Sequence, residues 1–302
     1  MTGALARLGD AAPSLQPLLP ALTRAAASSA PVLLLGEPGT GRSTLARAIH
    51  ADSPRAAQPL VELDAGAIPV TLFESELFGY RAGAFTGAER AYAGRAARAE
   101  GGTLLLDHVE ELPLAVQPKL LRLLSEQRYT PLGGEERRAD VRFVAVGAAD
   151  LRERVGGGSF REDLYWRIEV LTFRLAPLRE RRGDVLPLAE MMLADLTERF
   201  GRPRVGLSDR AGEWLPAADW PGNLRQLRNV LERALLSTHG DRLDPEPPDE
   251  AAGRVPQSLE RMEVAAIRAA LAYTRGHQGR AAKVLGISRK NLWEKRKRYD
   301  IP

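Results

Sequence analysis

The 302-residue sequence contains no cysteine. That excludes disulfides and thiolate metal sites, and it fits an expected cytoplasmic location. It also lacks any run of 18 apolar residues, so no membrane span is expected. Its N-terminus has no basic stretch followed by an apolar one, so no secretion leader is read. Internal repeats and low-complexity tracts are missing too. What is present is a 44% hydrophobic composition, enough for a sizeable core, and an uneven charge. From Arg275 to Pro302 nine Lys/Arg face two Asp/Glu, a local +7. The whole chain carries +4, so the preceding 274 residues carry −3. A basic end on a mildly acidic body points to nucleic acid. The alternative is a solvated basic tail, and the patterning of that end argues against it.

Short apolar runs mark buried strands at Pro31–Leu35, Leu60–Leu63, Thr103–Leu106, Arg142–Val146 and Leu171–Leu175. Helical patterns precede and separate them: Leu15–Ala27, Arg42–Ala51 and Leu114–Ser125. Strands alternating with helices predict an α/β fold with a parallel sheet covered on both faces. After Pro187 the strands stop. Leu188–Phe200, Ser208–Leu215 and Asn223–Leu236 read as a separate helical subdomain. Asp241–Gln257, with four prolines, reads as a linker. Three more helices are expected at Ser258–Leu271, Gln278–Leu285 and Ser288–Tyr299. The expected domains are therefore 1–180, 181–240, a linker 241–257, and 258–302.

The first strand runs into Gly36, Glu37, Pro38, Gly39, Thr40, Gly41, Arg42 and Ser43, and a helix follows. This is the context of a Walker A phosphate loop, G-x-x-x-x-G-K-[ST]. Glycines let backbone N–H groups turn toward phosphates, and the helix N-terminus adds positive potential. Arg42 stands where the motif has lysine, and arginine is larger and planar. Ser43 or Thr44 would ligate Mg²⁺. Gly101–Asp107 is an apolar strand ending in an acid, the pattern of a Walker B, with Asp107 holding Mg²⁺. The competing readings are an ordinary Gly-rich strand–helix turn and a helix-capping aspartate. The two motifs at a sensible spacing favour an ATP–Mg²⁺ site.

Two further stretches carry a family resemblance. Glu74-Ser-Glu-Leu-Phe-Gly79 is followed by Gly83, Ala84, Phe85, Thr86, Gly87 and Ala88, the hexapeptide GAFTGA. It resembles the signature loop of the sigma-54-dependent activators, the bacterial enhancer-binding proteins. The resemblance implies an AAA+ P-loop fold with a helical lid, and a loop touching sigma-54 with Phe85 and Thr86 at its tip. Phe160–Arg167 resembles the family's arginine-finger segment, so Arg161 and Arg167 would reach phosphates bound by a neighbouring subunit. Pro177–Arg181 and Trp220–Arg225 match further motifs, with Arg225 as the lid's sensor II residue. Each arginine alone would more often be a surface ion-pair partner. Subunit-crossing fingers imply a ring, hexameric in the family.

The departures from the family cluster at the chemistry. Besides Arg42, the glutamate that polarises the attacking water is replaced by His108. The asparagine restraining that glutamate aligns with Asp64. The Thr-Asn pair that senses the γ-phosphate aligns with Gly147 and Ala148. Hydrolysis needs a positioned water and an acceptor, and losing such a group costs about 10²–10⁴ in rate. Neutral imidazole can act as an acceptor. Glu110 and Glu111 lie past the strand end and need not face the site. Nucleotide binding is expected, and ordinary turnover is not.

At the C-terminus, Ala281, Ala282 and Leu285 give one apolar face, Gly286 permits a sharp turn, and Ser288 is an N-cap. The segment resembles the Fis-type helix-turn-helix that ends sigma-54 activators. Ser288, Arg289, Lys290 and Asn291 begin the recognition helix, the last three as candidates for base edges. Lys295, Arg296, Lys297 and Arg298 would pair with phosphates. Trp293 is expected in the core, with stacking on DNA the alternative. Leu259, Met262, Ala266 and Ala270 form a candidate dimer seam.

The sequence thus reads as a DNA-bound, ring-forming regulator that binds ATP and Mg²⁺ and remodels sigma-54 RNA polymerase. The match starts near Leu8 and leaves no room for a receiver domain. Control would then come from a regulatory protein, from expression level or from the nucleotide site. The alternative is a non-hydrolysing repressor or a subunit of a mixed ring. A motor acting on other proteins is a third reading, and the GAFTGA loop argues against it.

Overall fold

A computed structural model describes residues 3–237, 240–247, 267, 270–271, 274 and 277–299. Residues 1–247 form one unit and 248–302 a second.

The first unit contains the strands β1 (Val32–Gly36), β2 (Leu60–Asp64), β3 (Thr103–Asp107), β6 (Arg142–Ala148) and β7 (Leu171–Leu175), with β4 (Arg128–Tyr129) and β5 (Arg137–Arg138) forming a separate antiparallel pair. The five form one sheet in the order β2-β3-β6-β1-β7, with every neighbouring pair parallel. The central strands are buried almost throughout, and the edge strands β2 and β7 are only partly so. This is why they read as continuous apolar runs rather than alternations. Fully burying each such Leu or Val contributes about 1.5–3 kcal/mol, which makes β1 a rigid base for the loop that follows it. Apolar clusters fill both faces. One includes Phe73, Phe78, Leu120, Phe160 and Tyr165, and the other Leu22, Leu34, Leu45 and Ile49.

Ahead of β1 the expected helix Leu15–Ala27 is split. Pro13–Leu18 is a 3-10 turn, and the α-helix begins only at Leu19. Pro17 has no N–H to continue a helical ladder, and Pro20 is tolerated because it falls at the start of a helix. A further helix, α1 (Ala4–Ala11), precedes them. The helix expected from Leu114 starts at Gln117 and leaves Leu114 exposed.

The lid subdomain contains α9 (Val185–Arg199), α10 (Asp209–Trp214) and α11 (Asn223–Ser237). They close around Trp220, Leu188, Leu227 and Leu231. The stretch read as a linker from Asp241 is structured at its start. Arg242–Leu243 is a short strand pairing in parallel with Gly206–Leu207, and Leu243 is buried in the lid core. The remainder of that stretch, 248–257, lies outside the described residues.

In the second unit the helices Gln278–Val284 and Arg289–Arg298 pack through Ala281, Ala282 and Leu292, with Ile267, Ala270 and Leu271. Gly286 sits between them at φ 67°, a left-handed turn that suits glycine. Ser288 caps the second helix by accepting the Asn291 N–H at 3.1 Å. The expected helix Ser258–Leu271 lies outside the described residues except at 267, 270 and 271. So do Leu259, Met262 and Ala266 of the dimer seam, and the side chains of Lys290, Lys297 and Arg298.

Candidate nucleotide site and contact loop

The phosphate loop leaves β1 at the carboxyl end of the sheet, where ligands of open α/β sheets bind. The helix α3 (Arg42–Ala51) starts directly after it. Gly39 and Gly41 have φ of 79° and 99°, the left-handed turns that bring successive N–H groups to one side. At Gly39 glycine is also needed for space, because a Cβ there would come within 2.6 Å of the Gly222 carbonyl. A cavity of about 250 Å³ lies against this loop. Its lining includes Gly39, Gly41, Arg42, Ser43, Thr44, Asp107, His108, Arg225 and Arg228. Of the expected site residues, the phosphate loop, the Walker B acid, His108 and the sensor II arginine are therefore brought together. Arg228, one turn along α11 from Arg225, was missed by the sequence reading. A helical i, i+3 spacing places the two on one face.

Ser43 Oγ donates to Asp107 Oδ2 at 2.6 Å. A hydroxyl and a carboxylate meeting at a phosphate loop are the hard oxygen donors that Mg²⁺ takes, with its other positions left to water and phosphate. Among the described residues no group of three or more His, Asp or Glu could hold a metal by itself. The residues present thus fit ATP–Mg²⁺, whose metal would neutralise charge on the transferring phosphate.

Arg42 is 5% exposed, and its Nη1 donates to the Gly147 carbonyl at the end of β6. Burial pushes its guanidinium below the ordinary arginine value, against the opposing pull of Glu110 and Asp107. From the sequence, Glu110 lies past the strand end and need not face the site. In the structure its carboxylate accepts the Ala148 N–H at 3.0 Å and provides the largest attractive charge on Arg42. The strand end with no sensing side chain is thus occupied by an arginine and a glutamate.

Past Asp107 the chain turns through His108 at φ 53° and ψ 49°, left-handed for a residue with a side chain. Asp107 Oδ1 accepts the His108 N–H at 2.9 Å, and His108 Nδ1 lies 2.7 Å from Asp64 Oδ1.

The lid is tied to the phosphate loop by residues that the motifs contain but whose roles spacing does not reveal. Asn223 is fully buried. Its amide oxygen accepts the Leu178 N–H at 2.7 Å, and its Nδ2 donates to the Pro38 carbonyl at 3.1 Å and to Glu37 at 3.2 Å. Arg179 grips Glu37 with two bonds of 2.9 and 2.6 Å, and this pairing, with Asn223, holds the Glu37 carboxyl below its ordinary range. The buried Arg181 donates to the Thr40 carbonyl at 2.5 Å.

Arg161 and Arg167 do not line this cavity. Arg161 is the residue just ahead of α8 (Glu162–Ile168) and pairs with Asp163, while Arg167 lies in the last turn of that helix and makes a 3.4 Å bond to the Leu124 carbonyl.

The loop Gly83–Ala88 sits on a base closed by Tyr80 and Tyr92, whose backbones bond at 2.8 and 2.9 Å. Phe85 is 45% exposed, with its ring edge-on to Tyr80 at 4.9 Å. Gly83, Thr86 and Gly87 are exposed, and Ala84 is partly so. Ala88 is buried, so this residue, expected as a contact, serves instead to anchor the loop.

In the second unit Arg289 and Asn291 are exposed at the start of their helix, and Lys295 and Arg296 are partly exposed. Trp293 is corrected from core to surface at 55% exposure. The core side of its helix is taken by Leu292 and, in part, Tyr299.

Comparisons with known proteins give concordant findings. The family described as "Sigma-54 interaction domain" matches residues 8–174, "AAA+ ATPase lid domain" residues 179–258, and "Bacterial regulatory protein, Fis family" residues 258–299. The alginate biosynthesis transcriptional regulatory protein AlgB of Pseudomonas aeruginosa is 42% identical over 299 residues, which cover 96% of this chain and 66% of AlgB. The transcriptional regulatory protein ZraR of Klebsiella oxytoca is 40% identical over 300 residues, covering 95% of this chain and 68% of ZraR. Among solved structures, NtrX from Brucella abortus in complex with ATP matches at a TM-score of 0.72 and 34% identity, over 94% of this chain and 67% of that one. The chain thus spans about two thirds of the length of these relatives. No helix among the described residues is long and apolar enough to cross a membrane. With its parallel-sheet AAA+ body, helical lid and Fis-type helix-turn-helix, the chain belongs to the sigma-54-dependent transcriptional regulators.

Proposed function

We propose that the protein binds ATP–Mg²⁺ in the phosphate-loop cavity, binds double-stranded DNA through the helix beginning at Ser288, and remodels sigma-54 RNA polymerase through Phe85 and Thr86. The observation that carries this reading is the joining, in one compact unit, of the Ser43–Asp107 pair at a phosphate loop and an exposed GAFTGA tip. An aromatic ring left half in water on a loop anchored by buried Ala88 suits a contact with another protein better than a packing role. Arg161 and Arg167, off their own cavity, would complete the site of a neighbouring subunit in a homo-oligomeric or mixed ring. Arg289 and Asn291 would meet base edges, while Lys295 and Arg296 would give salt-dependent phosphate binding.

The test is capture of sigma-54 by the purified protein with a non-hydrolysable ATP analogue. Phe85→Ala and Thr86→Ala are expected to abolish capture and leave ATP affinity unchanged. Undiminished capture by both variants would remove the loop assignment.

A second reading, a non-hydrolysing subunit of a mixed ring or a repressor, is favoured by the Arg42 contact to Gly147 and by the side-chain-poor end of β6. The two readings part at turnover.

A further inference from the structure

The register of β2 against β3 sets Asp64 opposite Asp107 at the carboxyl ends of both strands. The residue after Asp107 is therefore delivered beside Asp64, although 44 residues separate His108 from Asp64 in the chain. The left-handed turn at His108, held by the Asp107–N–H bond and by the Glu111 N–H donating to the His108 carbonyl at 2.9 Å, fixes where the imidazole leaves the backbone. Asp64 is fixed in turn, because its Oδ1 also accepts the Gly66 N–H at 3.0 Å. A carboxylate can only accept, so the ring nitrogen facing Asp64 must carry the hydrogen. The other ring nitrogen, Nε2, makes no hydrogen bond among the described residues. His108 lines the same cavity as Ser43, Asp107 and Arg225.

We infer that Asp64 is a positioning residue that holds His108 as its Nδ1–H tautomer, leaving Nε2 as the acceptor that orients the attacking water, so that ATP hydrolysis is retained. The logic is that of a carboxylate fixing an imidazole by its Nδ1–H so that the opposite nitrogen can work. In the step served, the water oxygen forms a bond to the γ-phosphorus as the bond from that phosphorus to the β–γ bridging oxygen breaks. ADP leaves with the electron pair, and the water's protons end on the released phosphate and in solvent. Imidazole is unchanged across the step, since it only accepts a hydrogen bond from the water. The inference rests on the nucleotide-binding reading above, and it chooses turnover over the non-hydrolysing alternative.

Two readouts test it. Nitrogen-15 NMR of the nucleotide-free protein, with the His108 signals assigned by their loss in His108→Asn, is expected to show a protonated Nδ1 and a bare Nε2. Asp64→Asn is expected to erase that preference. The amide oxygen can still cap Gly66, but its NH₂ can present a donor where the imidazole needs an acceptor. Asparagine is the replacement at 108 because it tolerates the left-handed backbone and is too short to serve. The second readout is coupling in turnover. Asp64→Asn and His108→Asn are each expected to slow phosphate release about 10²-fold, and the double variant no further, because one residue acts through the other. Binding of a fluorescent ATP analogue should stay within about threefold throughout. An Nε2–H tautomer in the unmodified protein, single-variant effects that multiply, or ATP bound without turnover would each overturn the pair's role and leave nucleotide binding standing. Absence of nucleotide binding would instead overturn the reading beneath it, and the inference with it.

Discussion

On the lid side of the phosphate loop, Arg179 and Arg181 are committed inside the subunit, one to the Glu37 carboxylate and the other to the Thr40 carbonyl. At α8 the arginines are used differently. Arg161 closes only a local pair with Asp163 two residues on, and Arg167 makes one long bond to a carbonyl. Both sets were read from the sequence as family motifs, yet the first shapes this chain's own loop while the second stands apart from it. The difference teaches that an arginine's motif does not give its role. What decides is whether the acceptors lie on the same chain. Loss of a lid-side contact should therefore be felt in folding and ATP affinity, and loss of an α8 arginine only where another subunit needs it.

The largest effect that would sharpen this contrast is on catalysis. Arg161→Ala is expected to lower ATP turnover about 10³-fold, with melting temperature and ATP affinity unchanged. Mixing it with Asp107→Ala subunits should restore part of the activity, since each variant supplies what the other lacks. A drop in melting temperature, or full turnover without the mixture, would break the comparison.

Next is Asn223→Ala, which strands the Leu178 N–H and the Pro38 carbonyl in a buried seam. With one to two unsatisfied groups, about 3 kcal/mol of stability should be lost. For a domain of this size that is a fall in melting temperature of about 6–12 °C. A change under about 1 kcal/mol in urea unfolding would show that the lid is held elsewhere.

The smallest effect is the pH response of the Glu37–Arg179 pair, which is part-exposed and screened by salt. The folded-state carboxyl is held below its ordinary value by Arg179, so its contribution is present above the unfolded value. That contribution is lost as pH falls through the lower folded value. Glu37→Gln should flatten the acid limb of the stability curve and change little at neutral pH. A flattening above neutrality instead would assign the limb to another group.

Much of the architecture was legible because it is written in local pattern. The buried runs of β1, β3 and β6 and the glycines after β1 place the sheet's central strands and the phosphate loop within a residue or two. The α-helical start at Leu19 was not, because Pro17 and Pro20 act on a stretch whose apolar spacing alone looks helical. Leu243 was taken for linker because the neighbouring prolines hide one apolar side chain that fills the lid core. Trp293 was expected in the core, yet its neighbour Leu292 takes the packing side. At the site, residue types were legible and contacts were not. His108 and Asp64 meet only through the register of two strands, Arg42 reaches the Gly147 carbonyl across the sheet, and Glu110 turns back to cap Ala148. None of these partners lies within reach of a spacing rule.

The most direct test of the account is phosphate release by the purified protein, with ATP binding followed in parallel and Asp107→Ala as control. The account predicts turnover that Asp107→Ala abolishes. ATP bound tightly with no phosphate released would contradict it.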